Sequence, residues 1–373
     1  SGKAYWCDCS QEELDEMRQE QTAAGKKPMY DGRSRNLGLE RSENTVLRLA
    51  TPEDGEIIVN DIIRGQVKFE NNELDDLILL RSDGSPTYHL CNVVDDFEQG
   101  VSSVIRGEDH LSNTPRQIHI QNALEYPSLE YAHLPLVLGN DKKRLSKRHA
   151  ATSLEEYRNL GYLDSAILNT LARLGWSKGE KEVFYIDDLV KDFRLSDVQK
   201  AGAIFDISKL DYLNIQHMAK LTLEDFIDNL KPHLKNLNID INLHPKAKEL
   251  IEAMRTSAST FSDVAKNLFC YFNEISEFDE KAIQKFVIGS ENILSELKEE
   301  IARLSVWDEP SIDIALTEYR EKNNLSVPKV NQPIRIALTG STNSPSLGLT
   351  LSLFTQEESL KRIEQLIINI STN

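Results

Sequence analysis

A mixed α/β front half joined to an all-helical rear half is the architecture this sequence predicts. Three observations carry it. Short apolar or alternating runs fill residues 46–80, a strand–helix–strand pattern runs through 103–138, and from Thr222 onward the apolar spacing becomes helical. At 373 residues the chain exceeds one ordinary core and implies two or three domains.

Each element has its own signal. Ser10-Gln11-Glu12-Glu13 reads as a capping box and predicts a helix to about Gly25. Val46–Leu49, Glu56–Val59, Gly65–Phe69 and Leu77–Leu80 are strand candidates separated by turn residues. Ser103–Gly107 reads as a buried strand ending at a glycine. Thr114-Pro115 starts a helix whose inner face carries Ile118 and Leu124, and Leu134–Leu138 is a further strand. A strand, a helix, a strand and then a polar loop form a parallel α/β unit, where ligands sit beyond the carboxyl ends of the strands. Ser153 with Glu156 is a second capping box, with Gly161 as the stop. Asp164 opens a helix carrying Ile167, Leu168, Leu171 and Leu174, ended by Gly175. Helices are predicted near 223–230, 246–256, 261–272, 279–287, 290–304, 310–322 and 356–370. Asn331 to Leu349 interrupts them with Pro333, Gly340, Pro345 and Gly348.

Composition narrows the class. Hydrophobic content of 40% and charged content of 28% suit a soluble globular protein. No apolar run approaches the roughly 18 residues of a membrane span, and the first residues lack a signal-peptide layout. Four cysteines, only Cys7 and Cys9 close together, match a reducing compartment, so a cytoplasmic protein is expected. The net charge of -17 argues against a nucleic-acid partner on average. Local charge matters more: Lys142, Lys143, Arg144, Lys147 and Arg148 crowd one loop, so a polyanion can be held on one face and repelled elsewhere.

That loop is the sharpest chemical feature. Alone, it reads as readily as a solvated charged loop, or a basic stretch of the nuclear-localisation kind, as it does as a phosphate-binding loop. As a phosphate-binding loop, a lysine would neutralise charge building on a phosphoryl group and a serine would fix the backbone. Its place after an apolar strand at the end of an α/β unit favours the second reading.

Arg144-Leu145-Ser146-Lys147-Arg148 resembles the second signature of class I aminoacyl-tRNA synthetases, which in the glutamyl enzymes reads K-L-S-K-R; Arg144 keeps the first charge with altered geometry. The resemblance extends through Thr87–Asp96, close to T-Y-H-L-A-N-V-V-D-D, then Val104–His110 and Leu111–Gln117. Tyr30–Arg33, Leu79–Gly84, Leu174–Trp176, Phe205–Leu210, Arg335–Gly340 and Ser344-Pro345 continue it in order along the whole chain. The sequence is thus identified as similar to bacterial glutamyl-tRNA synthetases. The implied fold is the second half of a class I Rossmann-type domain with an α+β connective insertion, followed by an all-α anticodon-binding region. The implied domains are 1–86 (connective, acceptor-end-binding), 87–143 (second nucleotide-fold half), 144–221 (signature loop and tRNA stem contact) and 222–373 (helical, anticodon-binding).

The resemblance implies activation of glutamate by ATP with Mg²⁺, then transfer to tRNA(Glu), with tRNA(Gln) as a further acceptor to test, by a monomer without membrane attachment. It implies that Lys147 binds ATP phosphates and stabilises adenylate formation, with Ser146 shaping the loop and Arg144, Leu145 and Arg148 beside it. Asp109, His110 and the backbone near Val137 fall where the family contacts adenosine. Arg106 would pair with a substrate carboxylate, and Tyr88 and Asn92 would complete the amino-acid pocket. Taken alone, Arg106 reads more readily as a surface ion-pair partner, Tyr88 as a half-buried core ring and Asn92 as a turn or cap. The family's earlier H-I-G-H signature has no counterpart here, which leads to the expectation that this polypeptide is a fragment, inactive in adenylation alone. Cys7-Asp8-Cys9 resembles the start of a zinc site in some members, but the completing positions hold Ser34 and Asn36, so no structural zinc is expected. A non-catalytic tRNA-binding protein on this scaffold, and a glutaminyl or glutamyl-queuosine-type enzyme, stand as alternatives.

Overall fold

The computed structural model describes residues 2–145, 153–255, 257–275, 278–342 and 344–372. They form two compact units: Ser1–Leu145 with Ala172–Glu180 and Asp187–Phe205, and Ser146–Leu171 with Lys181–Ile186 and Asp206–Asn373.

In the first unit, strand β1 (Ala4–Cys7) precedes helix α1 (Gln11–Ala23), which starts where the sequence places it. Ser10 accepts from the Glu13 amide and Glu13 from the Ser10 amide, the reciprocal capping box. Strands β2 (Val46–Leu49), β3 (Glu56–Asp61), β4 (Gly65–Glu70) and β5 (Ile78–Leu80) follow as predicted. β1, β2 and β5 make a three-stranded antiparallel sheet. After β5 come helix α2 (Tyr88–Glu98), strand β6 (Ser103–Gly107), helix α3 (Thr114–Leu124) and strand β7 (Glu130–Leu134). β6 and β7 pair in parallel across α3, the α/β unit expected, and the β3–β4 hairpin joins them in a four-stranded sheet ordered β4-β3-β7-β6. Two residues farther on, β8 (Val137–Leu138) pairs in parallel with β9 (Ala203–Ile204).

Three readings of this half change. The strand predicted at Leu134–Leu138 is the end of β7 plus a separate β8, because Pro135 has no amide to continue the ladder. β6 is an outer strand, not a buried one: Ile105 is 56% exposed on one face while Val104 and Arg106 are half-buried on the other. The inner face of α3 is polar as well as apolar: Thr114, Gln117, His119, Ile120 and Gln121 are buried, whereas Leu124 is exposed.

The second unit is helical. Its helices include α4 (Leu154–Leu160), whose predicted capping box and glycine stop are both present, and α5 (Asp164–Arg173). The buried face of α5 is Ala166, Asn169 and Thr170, not the leucines, because Asn169 accepts from the Phe184 amide and donates to the Glu182 carbonyl. Helix α6 (Ile186–Asp192) lies in the first unit save for its first residue. The second unit goes on with α7 (Ile207–Met218), α8 (Leu223–Asn236), α9 (Ala247–Met254), α10 (Phe261–Phe272), α11 (Glu280–Ala282), α12 (Glu291–Ala302), α13 (Glu309–Lys322), α14 (Val327–Thr339), α15 (Leu347–Leu353) and α16 (Gln356–Thr372). Most of these match the predicted periodicity. The interruption predicted over Asn331–Leu349 does not occur in full: it holds the rear of α14 and the start of α15. Pro333 inside α14 removes one amide, ordinarily a loss of about 3 kcal/mol. Val330, Ile334, Ile336 and Leu338 on the same helix are 0% exposed. Burying each contributes about 1.5–3 kcal/mol, so packing overrides the proline. Gly340, at φ +75°, does end the helix. Gly348 sits inside α15 for a different reason: a Cβ there would lie 2.3 Å from Asp313 Oδ1 of α13.

Candidate active site

The candidate pocket is built where α2, β6, α3 and β7 meet. Arg106 stands on β6 directly opposite His133 on β7 in the parallel register. Its Nε donates to His133 Nε2 at 3.1 Å, and its Nη2 donates to Thr114 Oγ1 and Gln117 Oε1, both at 2.8 Å. Gln117 in turn donates to Asn92 Oδ1 at 2.7 Å. Two of the three residues predicted for the amino-acid pocket are therefore joined through one glutamine. Tyr88 opens the same helix four residues before Asn92 and is 53% exposed. Tyr88, Asn92 and Asp96 recur at helical spacing, and Tyr88 and Asp96 both act on the Arg106 charge. Burial holds Arg106 below its ordinary value, opposed by Tyr131, Tyr88 and Asp96, and burial raises Asp96. Arg106 Nη1 has no partner among the described residues, which leaves one edge of a fixed guanidinium open to an incoming acceptor.

A buried chain of bonds fixes that guanidinium from behind. Because Arg106 donates to His133 Nε2, the ring proton belongs on Nδ1, which reaches Asp61 Oδ2 at 2.6 Å. The His133 amide donates to the same oxygen at 3.0 Å, and both side chains are fully buried. The other Asp61 oxygen accepts from the Ile63 and Arg64 amides in the β3–β4 turn. Burial, more than its aspartate, sets the His133 imidazole, whose pKa is lowered, so the ring is neutral and this tautomer is consistent. Sequence reasoning missed Asp61, His133, Gln117 and Asp96. Asp96 had a visible signal, four residues after Asn92 on one helix face; Asp61 and His133, 72 apart, had none.

The residues predicted for the nucleotide lie along the next stretch. Asp109 and His110 belong to a 3-10 turn, Glu108–Asn113, directly after β6. Asp109 pairs with Arg144 at 3.2 Å, and His110 Nδ1 lies 3.2 Å from Asn113 Nδ2. The Val137 carbonyl accepts from the Leu145 amide at 2.9 Å. The basic loop begins as a tight turn: Gly139 bonds to the Lys143 carbonyl, and Lys142 takes a left-handed φ of +61°. Lys142, Lys143 and Arg144 are exposed there. Ser146, Lys147 and Arg148 lie outside the described residues.

The cysteine pair has a different setting. Cys7 lies 3.4 Å from the Tyr30 hydroxyl and Cys9 lies 3.7 Å from the Ser34 hydroxyl. Burial pushes the Cys7 thiol up, but hydrogen bonds from Tyr30, Ser34, the Cys9 backbone and Arg48 outweigh it and hold it at about 7. Among the described residues no group of three His, Cys, Asp or Glu side chains is placed to hold a metal ion, and the neighbouring hydroxyls are weak zinc ligands. No helix among the described residues is long and apolar enough to cross a membrane.

The family model for the class I tRNA synthetase (E and Q) catalytic domain matches residues 1–212, and that for an anticodon-binding domain matches 225–367. The chain thus carries the catalytic and anticodon-binding domains of a class I aminoacyl-tRNA synthetase. The chain is 42% identical to "Glutamate--tRNA ligase 2" of Halorhodospira halophila, over 98% of its own length and 78% of that protein. It is 40% identical to "Glutamate--tRNA ligase" of Thermodesulfovibrio yellowstonii, covering 98% and 80%. A solved glutamate tRNA ligase of Elizabethkingia meningosepticum, in complex with its amino acid, superposes with a TM-score of 0.80 at 31% identity over 99% of this chain and 80% of that one. The chain belongs to the glutamate–tRNA ligase family.

Proposed function

We propose that this enzyme joins glutamate to the α-phosphate of ATP, releasing pyrophosphate, and then passes the glutamyl group to the 3′ end of tRNA(Glu). The observation that carries the reading is Arg106: a guanidinium fixed by His133, Thr114 and Gln117, with Nη1 open beside Tyr88 and Asn92. A carboxylate can accept charge-assisted bonds from that edge, whereas the neutral amide of glutamine cannot do so as strongly. Lys147 takes the ATP phosphates, which arrive with Mg²⁺, and neutralises charge as the adenylate forms; Ser146 shapes that loop and Arg148 binds ATP beside it. Arg144, Leu145, Asp109, His110 and Val137 surround the nucleotide. In the second step a ribose hydroxyl attacks the glutamyl carbonyl and AMP leaves.

The domain roles follow the same reading: 1–86 for the acceptor end, 87–143 for the nucleotide fold, 144–221 for the stem and 222–373 for the anticodon, in a cytoplasmic monomer. Support comes from the family matches over residues 1–212 and 225–367. The test is attachment of labelled amino acid to bacterial tRNA by the complete gene product with ATP and Mg²⁺. Glutamate on tRNA(Glu) is expected; purified tRNA(Gln) in a parallel reaction decides whether it too is an acceptor. Attachment of glutamine in preference to glutamate, or no attachment at all, would overturn the reading.

A further inference from the structure

Between the amino-acid pocket and the nucleotide stretch stands a carboxylate that neither role uses. Glu108 is the first residue beyond β6 and opens the 3-10 turn that carries Asp109 and His110. The neighbouring parallel strand, β7, ends at Leu134, and Pro135 interrupts the chain before β8 begins at Val137. The Leu136 amide therefore falls in a gap between two ladders, and a half-buried amide needs an acceptor. Glu108 supplies one: its Oε1 accepts from the Leu136 amide at 3.0 Å.

The second oxygen, Oε2, accepts from Arg64 Nη2. The Arg64 and Glu108 side chains are only 18% and 25% exposed, so salt screens this pair less than a surface one. Arg64 is held in turn. Its amide donates to Asp61 Oδ1, its Nε reaches the His133 carbonyl at 3.5 Å, and its own carbonyl accepts from Lys200 Nζ at 2.9 Å. One carboxylate thus joins three segments: the β3–β4 turn, the Glu108–Asn113 turn and the β7–β8 link. Both of its bonds are charge-assisted, the kind that fixes orientation best. The last two segments are those that face the nucleotide in the proposed function, with Asp109 and His110 on one and the backbone near Val137 on the other. They meet at the carboxyl ends of the parallel strands, where ligands of α/β units sit.

We infer that Glu108 is a positioning residue for ATP: through Leu136 and Arg64 it holds the two edges of the adenosine pocket at their working distance. The inference rests on the reading of the chain as a tRNA ligase. A role in stability alone is the competing account, and it would lower Tm without choosing between substrates.

Pyrophosphate exchange by the complete gene product, with tRNA present, compares the wild type with Glu108→Gln, Glu108→Ala and Arg64→Ala. Glu108→Gln keeps an acceptor for the Leu136 amide but turns a neutral amide toward the guanidinium; Glu108→Ala loses both bonds. KM for ATP should rise about threefold in Glu108→Gln and about tenfold in Glu108→Ala, with KM for glutamate within about twofold of the wild type. Arg64→Ala should match Glu108→Gln, and Arg64→Ala/Glu108→Ala should be no worse than Glu108→Ala, because the arginine acts through the carboxylate. Competitive inhibition then separates the parts of the nucleotide. Adenosine should bind about tenfold more weakly to Glu108→Ala, and inorganic tripolyphosphate within about twofold of the wild type. If Glu108→Ala does not fold, Glu108→Gln and Arg64→Ala carry the same comparison at about threefold. An unchanged KM for ATP in folded variants, or an equal loss for glutamate or tripolyphosphate, would overturn the inference and leave the ligase reading standing on the activity of the wild type. No exchange by the wild type would sink the ligase reading, and the role of Glu108 with it.

Discussion

The two units solve the problem of an ordered interior in opposite ways. The helical unit buries one continuous apolar cluster, from Met218 through Leu250, Leu268 and Leu316 to Leu366. The first unit has small apolar clusters, one around Leu49, Leu79, Val93 and Ile120 and one around Cys7, Met17 and Tyr30. It fills the space between with bonded polar groups: Asp61–His133–Arg106–Gln117–Asn92, His119 with Asn71, and Gln121 with Tyr131. Apolar packing tolerates small shifts, whereas a hydrogen-bond chain fixes orientation to a few tenths of an ångström and fails when one link is removed. Bonded polar groups thus set the interior of the first unit, and apolar packing sets that of the helical unit.

That contrast can be broken by substitution. His133→Ala is expected to lower stability by about 3 kcal/mol, because it leaves the buried Asp61 carboxylate without its ring partner. Urea unfolding measures it, and a loss below about 1 kcal/mol would mean that the chain of bonds is not structural. Lys147→Ala should slow adenylation, followed as pyrophosphate exchange with tRNA present, by at least about a hundredfold, the scale of losing one transition-state donor. Near-normal turnover would remove Lys147 from its role. In the helical unit the sensitive point is steric. Gly161 has φ +89°, and a Cβ there would meet the Phe261 and Ser262 amide nitrogens at 2.7 and 2.6 Å. Gly161→Ala should therefore cost about 2–3 kcal/mol, seen as a lowered Tm, with little change in KM for glutamate.

Acid should expose both units. His89, His119, His133, His217, His233 and His244 are all held below the ordinary 6.5, with burial the leading cause in each. The unfolded chain then binds more protons than the folded one as pH falls through 6.5. Stability is full above that value and declines as pH drops toward the folded values. Thermal unfolding between pH 7.5 and 5 should show a falling Tm; a flat profile would contradict the burial of these rings. The smallest expected effect is Ser153→Ala, about 1 kcal/mol, from loss of the capping box of α4.

How much was legible in the sequence divides along the same line. Local signals told the truth: Ser10 with Glu13, Ser153 with Glu156, the alternating runs of β2 to β5 and the periodic helices after Thr222 all formed. Local signals failed where a distant partner decided the outcome. Pro333 and Gly348 looked like breakers, but the buried face of α14 and the close approach of α15 to Asp313 keep both in helices. β1 passed unread because its partner β2 begins 39 residues after β1 ends. In the candidate site, motif resemblance pointed to Arg106 and Asn92, while the link between them, Gln117, and the anchor behind, His133 on Asp61, became visible only in three dimensions.

Arg106 is the group proposed to hold a glutamate carboxylate. Steady-state charging with Arg106→Lys in the complete gene product tests it most directly. A lysine keeps the charge but loses the fork fixed by His133, Thr114 and Gln117. KM for glutamate should rise at least about tenfold, roughly 1.4 kcal/mol, with KM for ATP unchanged. An unchanged KM for glutamate, or an equal loss for ATP, would contradict it.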